Sequence, residues 1–437
     1  MALKTFPGGI HPKDRKGYSK NVTISDMPLP KKVVIFLSQH IGGYAKSLVK
    51  VGEFVKTGQK IAESSGFVSI PMHASISGKV TAIDDFPHPN GALVKGIEID
   101  SDAKDEWIEL IDDQDYEALT PDEMRRRIFE AGVCGMGGAG FPTHVKLTPL
   151  PDKPIDTVIV NGVECEPFLT ADCRLMVENT KKIIKGLELV MSIVGAKRGI
   201  IGIEANKPQS IELLEDMTRN EPNIRVDKLA VKYPQGAEKQ LIYATTKRRV
   251  PNQGGLPSAV GCVVDNVATI INVYDAVRYQ KPLTERVVTV SGKIIKNPSN
   301  LNTRIGTKFS EMIDICGGLT QPLGKIISGG PMMGFALNSL DAFSTKTTSG
   351  IVLLSQAIVK KYEEHTCLRC ARCVDVCPCN LVPCLIASSM KYGDVTGAEK
   401  AGAMDCMKCG CCAYVCPAHI KLIQWIDIAK LKITNKY

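Results

Sequence analysis

The sequence predicts a multidomain α/β protein, and three observations carry that reading. Between residues 157 and 278, β-type and helical runs alternate, as in a mostly parallel sheet covered by helices. Between about 29 and 100, short β-type runs alternate with turn residues, the pattern of an all-β unit. Near the C-terminus, Cys-x2-Cys-x2-Cys-x3-Cys-Pro occurs twice. The first copy is Cys367, Cys370, Cys373, Cys377 and Pro378; the second is Cys406, Cys409, Cys412, Cys416 and Pro417. The length of 437 residues suits about three domains.

Composition sets bounds. With 44% hydrophobic and 23% charged residues, the chain reads as an ordinary globular protein. No stretch approaches about 18 consecutive apolar residues, so no transmembrane helix is expected. The N-terminus lacks the apolar core of a signal peptide. The formal charge is +8, but the basic residues are spread along the chain, so no nucleic acid is expected as partner. Of sixteen cysteines, eight fall in the doubled motif. That points to a reducing, cytoplasmic setting rather than a disulfide framework.

Residues 1–28 are rich in Gly, Pro and charge, with Phe6-Pro7-Gly8-Gly9-Ile10-His11-Pro12 near the start. They read as an extended strap with little regular structure, and His11 as structural or solvated. The β-type runs Val33–Leu37, Val49–Gly52, Lys60–Ala62 and Gly78–Val80 follow. Residues 101–118 are acidic and linker-like. Thr120 as N-cap, Pro121 at the first position and Glu123 at the third then start a helix over Met124–Ala131, closed by Gly132.

Gly132–Lys146 is glycine-rich and contains GxGxxG at Gly135, Gly137 and Gly140. A dinucleotide fingerprint needs a strand before it and a helix after it. Here a helix precedes it, so the standard reading fails. What remains is physical: a backbone without side chains can approach a phosphate or a flat ring, and its N–H groups can line up on an anion. Lys146 could supply a matching charge. A plain glycine-rich surface loop is the alternative.

Strand 157–160 runs into Asn161-Gly162-Val163-Glu164-Cys165-Glu166-Pro167, beyond a strand's carboxyl end, where open α/β sheets bind ligands. A helix over 175–194, a strand over 199–203, a helix over 210–218 and a strand over 226–231 follow. Tyr233–Lys239 marks another strand-to-helix junction, and Val263–Thr269 leads a helix reaching about Arg278. Residues 287–340 read as a small α+β unit. Met332 and Met333 lie beside its turn as packing residues rather than a soft-metal site. Strand 350–354 reads as the lead into the cysteine unit. Leu385–Met404 is helix-favouring. Ile420–Leu431 carries helical spacing, as a core-packed terminal helix or as one docking on a partner or membrane surface.

Thiolates are soft ligands for iron–sulfur clusters and zinc. Zinc usually takes two close pairs of ligands, whereas three cysteines in a tight loop with a fourth before a proline is the spacing of two-cluster ferredoxins. In that arrangement the fourth cysteine crosses over. Cys367, Cys370, Cys373 and Cys416 would hold one [4Fe-4S] cluster; Cys406, Cys409, Cys412 and Cys377 would hold the other. Cys379, Cys384 and Cys411 lie off the spacing and read as packing.

Val51–Gln59 and His73–Val80 resemble the barrel-sandwich fold of biotinyl and lipoyl carriers. The corresponding tip, near Ile70–His73, has no lysine to modify, so the unit reads as docking or scaffolding. Gly135–Lys146 resembles the flavin-binding loop of the NADH-oxidising subunit of respiratory complex I. The blocks Asn161-x-x-Glu164-x-Glu166-Pro167, Gly236-x-Glu238 and Asn266-x-x-Thr269, a β-grasp-like unit and the cysteines follow in that family's order. The second cysteine motif and the N-terminal barrel-sandwich match the family of C subunits of the Rnf complex, a ferredoxin:NAD+ oxidoreductase coupled to ion transport across the bacterial membrane.

The resemblance implies a strap at 1–28 and a barrel-sandwich domain at 29–110. A Rossmann-like FMN/NAD(H) domain follows at 115–285 and a soluble-ligand-binding β-grasp domain at 286–345. A helical, ferredoxin-type domain with two [4Fe-4S] clusters ends the chain at 346–437. Gly135, Gly137, Gly138 and Lys146 would cradle FMN. Asn161, Glu164, Asn266 and Thr269 would hydrogen-bond its ribityl chain, ring or phosphate. Phe141 would stack on the nicotinamide nucleotide, and Glu166 and Glu238 would contact its ribose or amide. Complex I has an aspartate where Val163 stands.

The implied activity is that of a translocase-type NAD(H)-dependent oxidoreductase subunit with no catalytic acid, base or nucleophile. The implied partners are an iron–sulfur subunit and membrane subunits. The implied place is peripheral, on the cytoplasmic side of the inner membrane. Two alternatives remain in view: a soluble NADH-dependent corrinoid reductase of similar build, and a relay protein that has lost flavin.

Overall fold

Four parallel strands form the sheet that positions the site. In the computed structural model, which describes residues 3–252 and 254–435, their order is Ile224–Leu229, Arg198–Glu204, Thr157–Gly162, Cys262–Asn266. Val158, Ile159, Val160, Ile201 and Ile203 are buried, as β-branched runs must be when helices cover both faces. Pro208–Met217, Glu238–Thr246 and Val267–Tyr279 are among those helices. The helix expected at 175–194 is two helices, Ala171–Glu178 and Thr180–Val194. Asn179, at φ −127° and ψ 29°, breaks them. The Glu164 carboxylate accepts the N–H groups of Asp172 (2.8 Å) and Cys173 (3.3 Å), which starts the first helix early by satisfying its free donors.

The preceding helix runs Pro121–Glu130 as its caps dictate. Thr120 Oγ1 accepts the Glu123 N–H at 3.3 Å, and Gly132 closes the end at φ +64°, a conformation glycine adopts without steric cost.

The N-terminal unit is all-β. Lys32–Phe36, Leu93–Ser101, Gly78–Pro87 and Phe54–Val55 form one sheet; Lys46–Ser47, Lys60–Glu63 and Met72–His73 form the other. Val33, Ile35, Ile61, Ile97 and Ile99 fill its interior. Ile70, Met72 and His73 are buried too, so the segment that forms the tip in carrier domains is packed away. This agrees with a scaffold rather than a swinging arm.

The fourth sheet carries two corrections. Its order is Ile24–Asp26, Ser299–Arg304, Glu285–Ser291, Gly350–Ser355, Leu323–Ser328, Phe335–Leu337. The strap, expected to lack regular structure, supplies Ile24–Asp26 in parallel with Ser299–Arg304. Strand Gly350–Ser355, expected to open the cysteine unit, lies inside this sheet between Glu285–Ser291 and Leu323–Ser328. The division therefore falls after Ser355, not at 345. Ile351, Val352 and Leu353 are all buried, and a continuous apolar run needs cover on both faces.

The cysteine unit is helical and internally repeated. Arg372–Asp375 and Pro383–Lys391 in the first half answer Cys411–Tyr414 and Leu422–Thr434 in the second. Positive φ recurs at equivalent places: Arg369 (52°) and Lys408 (58°), Ala371 (59°) and Gly410 (80°), Asn380 (55°) and His419 (50°). The Arg369 N–H points to Cys367 Sγ at 3.5 Å, and the Lys408 N–H to Cys406 Sγ at 3.4 Å. The terminal helix buries Leu422, Ile426, Ala429 and Ile433, the core-packed reading. Among the described residues no helix is long and apolar enough to cross a membrane.

Candidate functional site

Strand order reverses beside Thr157–Gly162. From there the chain steps one way through Arg198–Glu204 to Ile224–Leu229, then returns on the other flank as Cys262–Asn266. Such a switch point opens a crevice beyond the carboxyl ends of the strands. Asn161 and Asn266 are direct register partners at its lip. Asn161 Nδ2 donates to the Gly236 carbonyl at 2.7 Å, and its Oδ1 accepts the Val163 N–H at 3.2 Å. Asn266 Oδ1 caps Val267–Tyr279 by accepting the Ala268 N–H at 2.9 Å, while its Nδ2 donates to Asp172 at 2.7 Å.

The glycine-rich loop arches over this lip. Gly135 N–H donates to the Phe141 carbonyl at 2.8 Å, and Gly140 N–H to the Gly135 carbonyl at 3.1 Å. Thr269, fully buried, accepts the Met136 N–H at 2.9 Å. Arg286 Nη2 donates to the Met136 carbonyl at 2.8 Å. A Cβ on Gly137 would lie 3.1 Å from the Asn266 Cβ, whereas one on Gly138 would meet nothing within 4 Å. The loop is thus pinned at Met136, pressed against the strand end at Gly137, and bare and exposed at Gly138. Phe141 is partly exposed at its end.

Other expected residues are placed differently from a free ligand contact. Lys146 Nζ donates to the Val264 carbonyl at 2.8 Å and sits 3.2 Å from Asp265 and 3.7 Å from Glu238. Its charge is matched inside the protein. Asp265 is buried, and neither carboxylate oxygen has a well-formed hydrogen bond. Burial lifts its carboxyl above the ordinary range against the pull of Lys146. Glu164 starts Ala171–Glu178, with Lys16 of the strap 3.8 Å away. Both Glu166 oxygens accept backbone N–H groups, from Met332 at 3.0 Å and Met333 at 2.8 Å.

Several site residues escape sequence reasoning. Asp172 is pushed up to about 7 by burial and by the charge of Glu164. Lys207 donates to the Val163 carbonyl at 2.5 Å and pairs with buried Glu204 at 3.2 Å. Lys346 is fully buried. It donates to the Gly132 carbonyl at 2.7 Å and the Pro71 carbonyl at 3.3 Å, joining the barrel-sandwich to the base of the loop. Burial lowers it to about 8 and Arg286 to about 10. Nothing local in the sequence marks these partners, because each arrives from a distant segment.

The cysteine unit docks on the same α/β domain. Buried Tyr233 donates its hydroxyl to the Cys409 carbonyl at 2.8 Å, Gln240 donates to the Pro378 carbonyl at 3.0 Å, and Gly9 N–H donates to the Val376 carbonyl at 2.9 Å. Cys377, Cys409 and Cys412 are buried, Cys409 against Tyr233, whereas Cys367 and Cys370 are exposed. Cys406, Cys409 and Cys412 lie within electrostatic reach of one another and of Cys377. Cys373 and Cys416 border one apolar group around Leu422. Cys384 neighbours Cys373, and Cys411 is buried against the Tyr233 carbonyl. Among the described residues no three such side chains close into a metal-binding group.

Fold and crevice define a nucleotide-binding type of α/β protein with barrel-sandwich, β-grasp and cysteine-repeat units attached. Residues 128–275 match the Nuo51 FMN-binding domain, 4–104 the RnfC barrel sandwich hybrid domain, and 287–336 the SLBB domain. The C subunit of the proton-translocating ferredoxin:NAD(+) oxidoreductase complex of Clostridium ljungdahlii is 48% identical over 88% of this chain and 84% of its own. The Na(+)-translocating counterpart of Acetobacterium woodii is 44% identical over 98% and 97%. The C subunit of the ion-translocating oxidoreductase complex of Rhodobacter capsulatus is 40% identical over 98% and 83%. A chain of the NAD+-reducing [NiFe]-hydrogenase in its H2-reduced state shares the fold, with a TM-score of 0.50 at 18% identity over 73% of this chain and 64% of that one. The chain belongs to the family of C subunits of ion-translocating ferredoxin:NAD+ oxidoreductase complexes, the Rnf family.

Proposed function

We propose that this chain exchanges hydride with NAD(H) at an FMN held in the switch-point crevice and passes single electrons through two [4Fe-4S] clusters. One observation carries the reading: the loop with bare backbone at Gly138 rests, through Gly137, on the strand end at Asn266 in the same domain that holds the cysteine repeat through Tyr233. The residues fit FMN. Gly135, Gly137 and Gly138 present backbone without side chains, and the buried Asp265 oxygens lack well-formed hydrogen bonds. Asn161, Glu164 and Asn266 form the polar lip, and Thr269 holds the loop. Lys146 acts with Asp265 and Glu238 rather than as a lone charge. Phe141, partly exposed at the end of the loop, would stack on a nicotinamide nucleotide, and Glu238 would contact it from beside Lys146.

Bound FMN would convert the two electrons of a hydride into single electrons that a cubane can accept. The protein's own part is positioning: a pinned loop and a rigid lip hold two rings in register without an acid or base. The cysteine repeat supports the two ligand sets, Cys377 with Cys406, Cys409 and Cys412, and Cys367 with Cys370, Cys373 and Cys416. The first set faces the α/β domain and would receive electrons first. The second, with exposed Cys367 and Cys370 beside exposed Leu368, would hand them to a partner iron–sulfur subunit. Membrane subunits of the complex would hold the chain at the cytoplasmic face of the inner membrane. The relatives above all belong to multi-subunit complexes, which favours this reading over a soluble corrinoid reductase.

Anaerobic NADH titration of the FMN- and cluster-reconstituted chain tests it. Flavin and cluster absorbance should both bleach, and absence of bleaching rules the reading out. Cys367→Ser should leave one cluster that NADH still reduces. A remaining cluster that NADH cannot reduce would reverse the order.

A further inference from the structure

The β-grasp turn Ser328–Gly334 is tied to two places at once. On one side it meets Glu166, whose two oxygens accept the Met332 and Met333 N–H groups. Consecutive backbone donors converging on one carboxylate make a small anion nest. Gly330 has no room for a side chain, since a Cβ there would overlap the Glu166 side chain. The turn closes on itself through Gly334 N–H to the Gly330 carbonyl at 2.8 Å. On the other side, Met332 packs with Ile10, Tyr233, Cys409 and Cys411. Its carbonyl comes so near Gly410 that a Cβ there would lie 3.2 Å from it.

We propose that Glu166 is a positioning residue: it clasps the β-grasp turn and, through Met332, holds the Cys406–Cys412 loop against the α/β domain, rather than contacting the nucleotide. Both carboxylate oxygens are already engaged by backbone donors, and Lys16 Nζ holds the Glu166 carbonyl at 2.9 Å. The loop Asn161–Pro167, which forms the lip of the crevice, is thereby clasped to the cysteine loop through Glu166 and Met332, beside Cys165, which packs on the same apolar cluster. The inference rests on the functional reading for the nucleotide and for the clusters, while the clasp itself rests on the contacts of Glu166 and Met332.

Hydrogen exchange of the full reconstituted chain, followed by mass spectrometry, tests it beside NAD+ binding by calorimetry. Glu166→Ala leaves two amides without acceptors, so exchange in 328–334 should speed about tenfold or more. Exchange in 406–412 should speed with it, while the Kd for NAD+ stays within about twofold. Glu166→Gln keeps an acceptor oxygen and should fall between. Gly330→Ala breaks the same clasp from the other side and should reproduce the alanine result; it decides the matter where Glu166→Ala does not fold. Unchanged exchange in 406–412 in the folded variants overturns the proposal. So does an NAD+ Kd raised about tenfold or more with both loops exchanging as in wild type. Exchange needs no electron transfer, so a wild-type chain that NADH failed to reduce would sink the functional reading and leave this test intact.

Discussion

Thr269 shows how a side chain can serve a site by holding the backbone of its loop. Its hydroxyl accepts the Met136 N–H at 2.9 Å in a fully buried setting, so it pins the glycine loop. Thr269→Val keeps the shape and strands that N–H, which costs about 1–3 kcal/mol. The urea midpoint should fall and FMN should bind more weakly; an unchanged midpoint would remove Thr269 as the anchor. Glu166 gives a prediction with a sign. Burial pushes it up to about 7, against the pull of the Met332 and Met333 N–H groups and of Lys16. Cys165 and Tyr233 face the same carboxylate. The unfolded chain loses this proton near the ordinary glutamate value of about 4.3. Between there and about 7 the native state binds more protons, so stability falls as pH rises through that window and levels off above it. Denaturation at pH values near 5 and near 8 should show wild type losing ground to Glu166→Gln on the alkaline side. Parallel pH dependence in the two proteins would mean that Glu166 titrates normally.

At the scale of elements, the cysteine repeat makes its own comparison. Gly410 holds φ 80° at no steric cost, while its counterpart Ala371 holds φ 59°. A left-handed alanine costs roughly 1–2 kcal/mol. Ala371→Gly should therefore stabilise the cysteine unit by about 1 kcal/mol, less the added freedom of the unfolded chain. Gly410→Ala should destabilise it by more, because its Cβ would also crowd the Met332 carbonyl at 3.2 Å. Thermal unfolding of the two variants checks both signs. The sheet alternation, the Thr120–Pro121 helix start and the doubled cysteines were legible because each is a local pattern that physics reads locally. Strand Gly350–Ser355 is legible as a strand but not as a member of the β-grasp sheet, since an apolar run declares burial but not its neighbours. The early start of the helix at Ala171 depends on Glu164 reaching the donors of Asp172 and Cys173 from outside the helix. The sequence offers Lys146 as a candidate, but nothing local announces its partner Asp265, which comes from another strand. Lys346 and Arg286 were invisible for the same reason: a buried cation is defined by carbonyls that come from elsewhere.

Across the whole molecule, the strap does the joining. Lys4 pairs with Asp227 at 2.6 Å, and its carbonyl accepts the Ala230 N–H at 2.9 Å. Ile10 exchanges backbone hydrogen bonds with Tyr233, while Gly9 N–H reaches the Val376 carbonyl of the cysteine unit at 2.9 Å. Lys16 donates to the Glu166 and Leu169 carbonyls, and Ile24–Asp26 completes the β-grasp sheet. One segment thus crosses the α/β domain, touches the cysteine unit beside Cys377, and ends in the β-grasp sheet. Gly9 is its tightest point. It sits at φ +80°, and a Cβ would come 2.6 Å from the Tyr233 carbonyl and 2.8 Å from the Phe6 ring. Gly9→Val should lift the strap there, break the Gly9–Val376 bond and loosen the cysteine unit on the α/β domain. The exposed segment 356–366 should then be cut faster by protease, and reduction of the clusters by NADH should slow while flavin reduction keeps its rate. If cluster reduction keeps its wild-type rate in a folded variant, Tyr233 and Gln240 hold the unit without the strap.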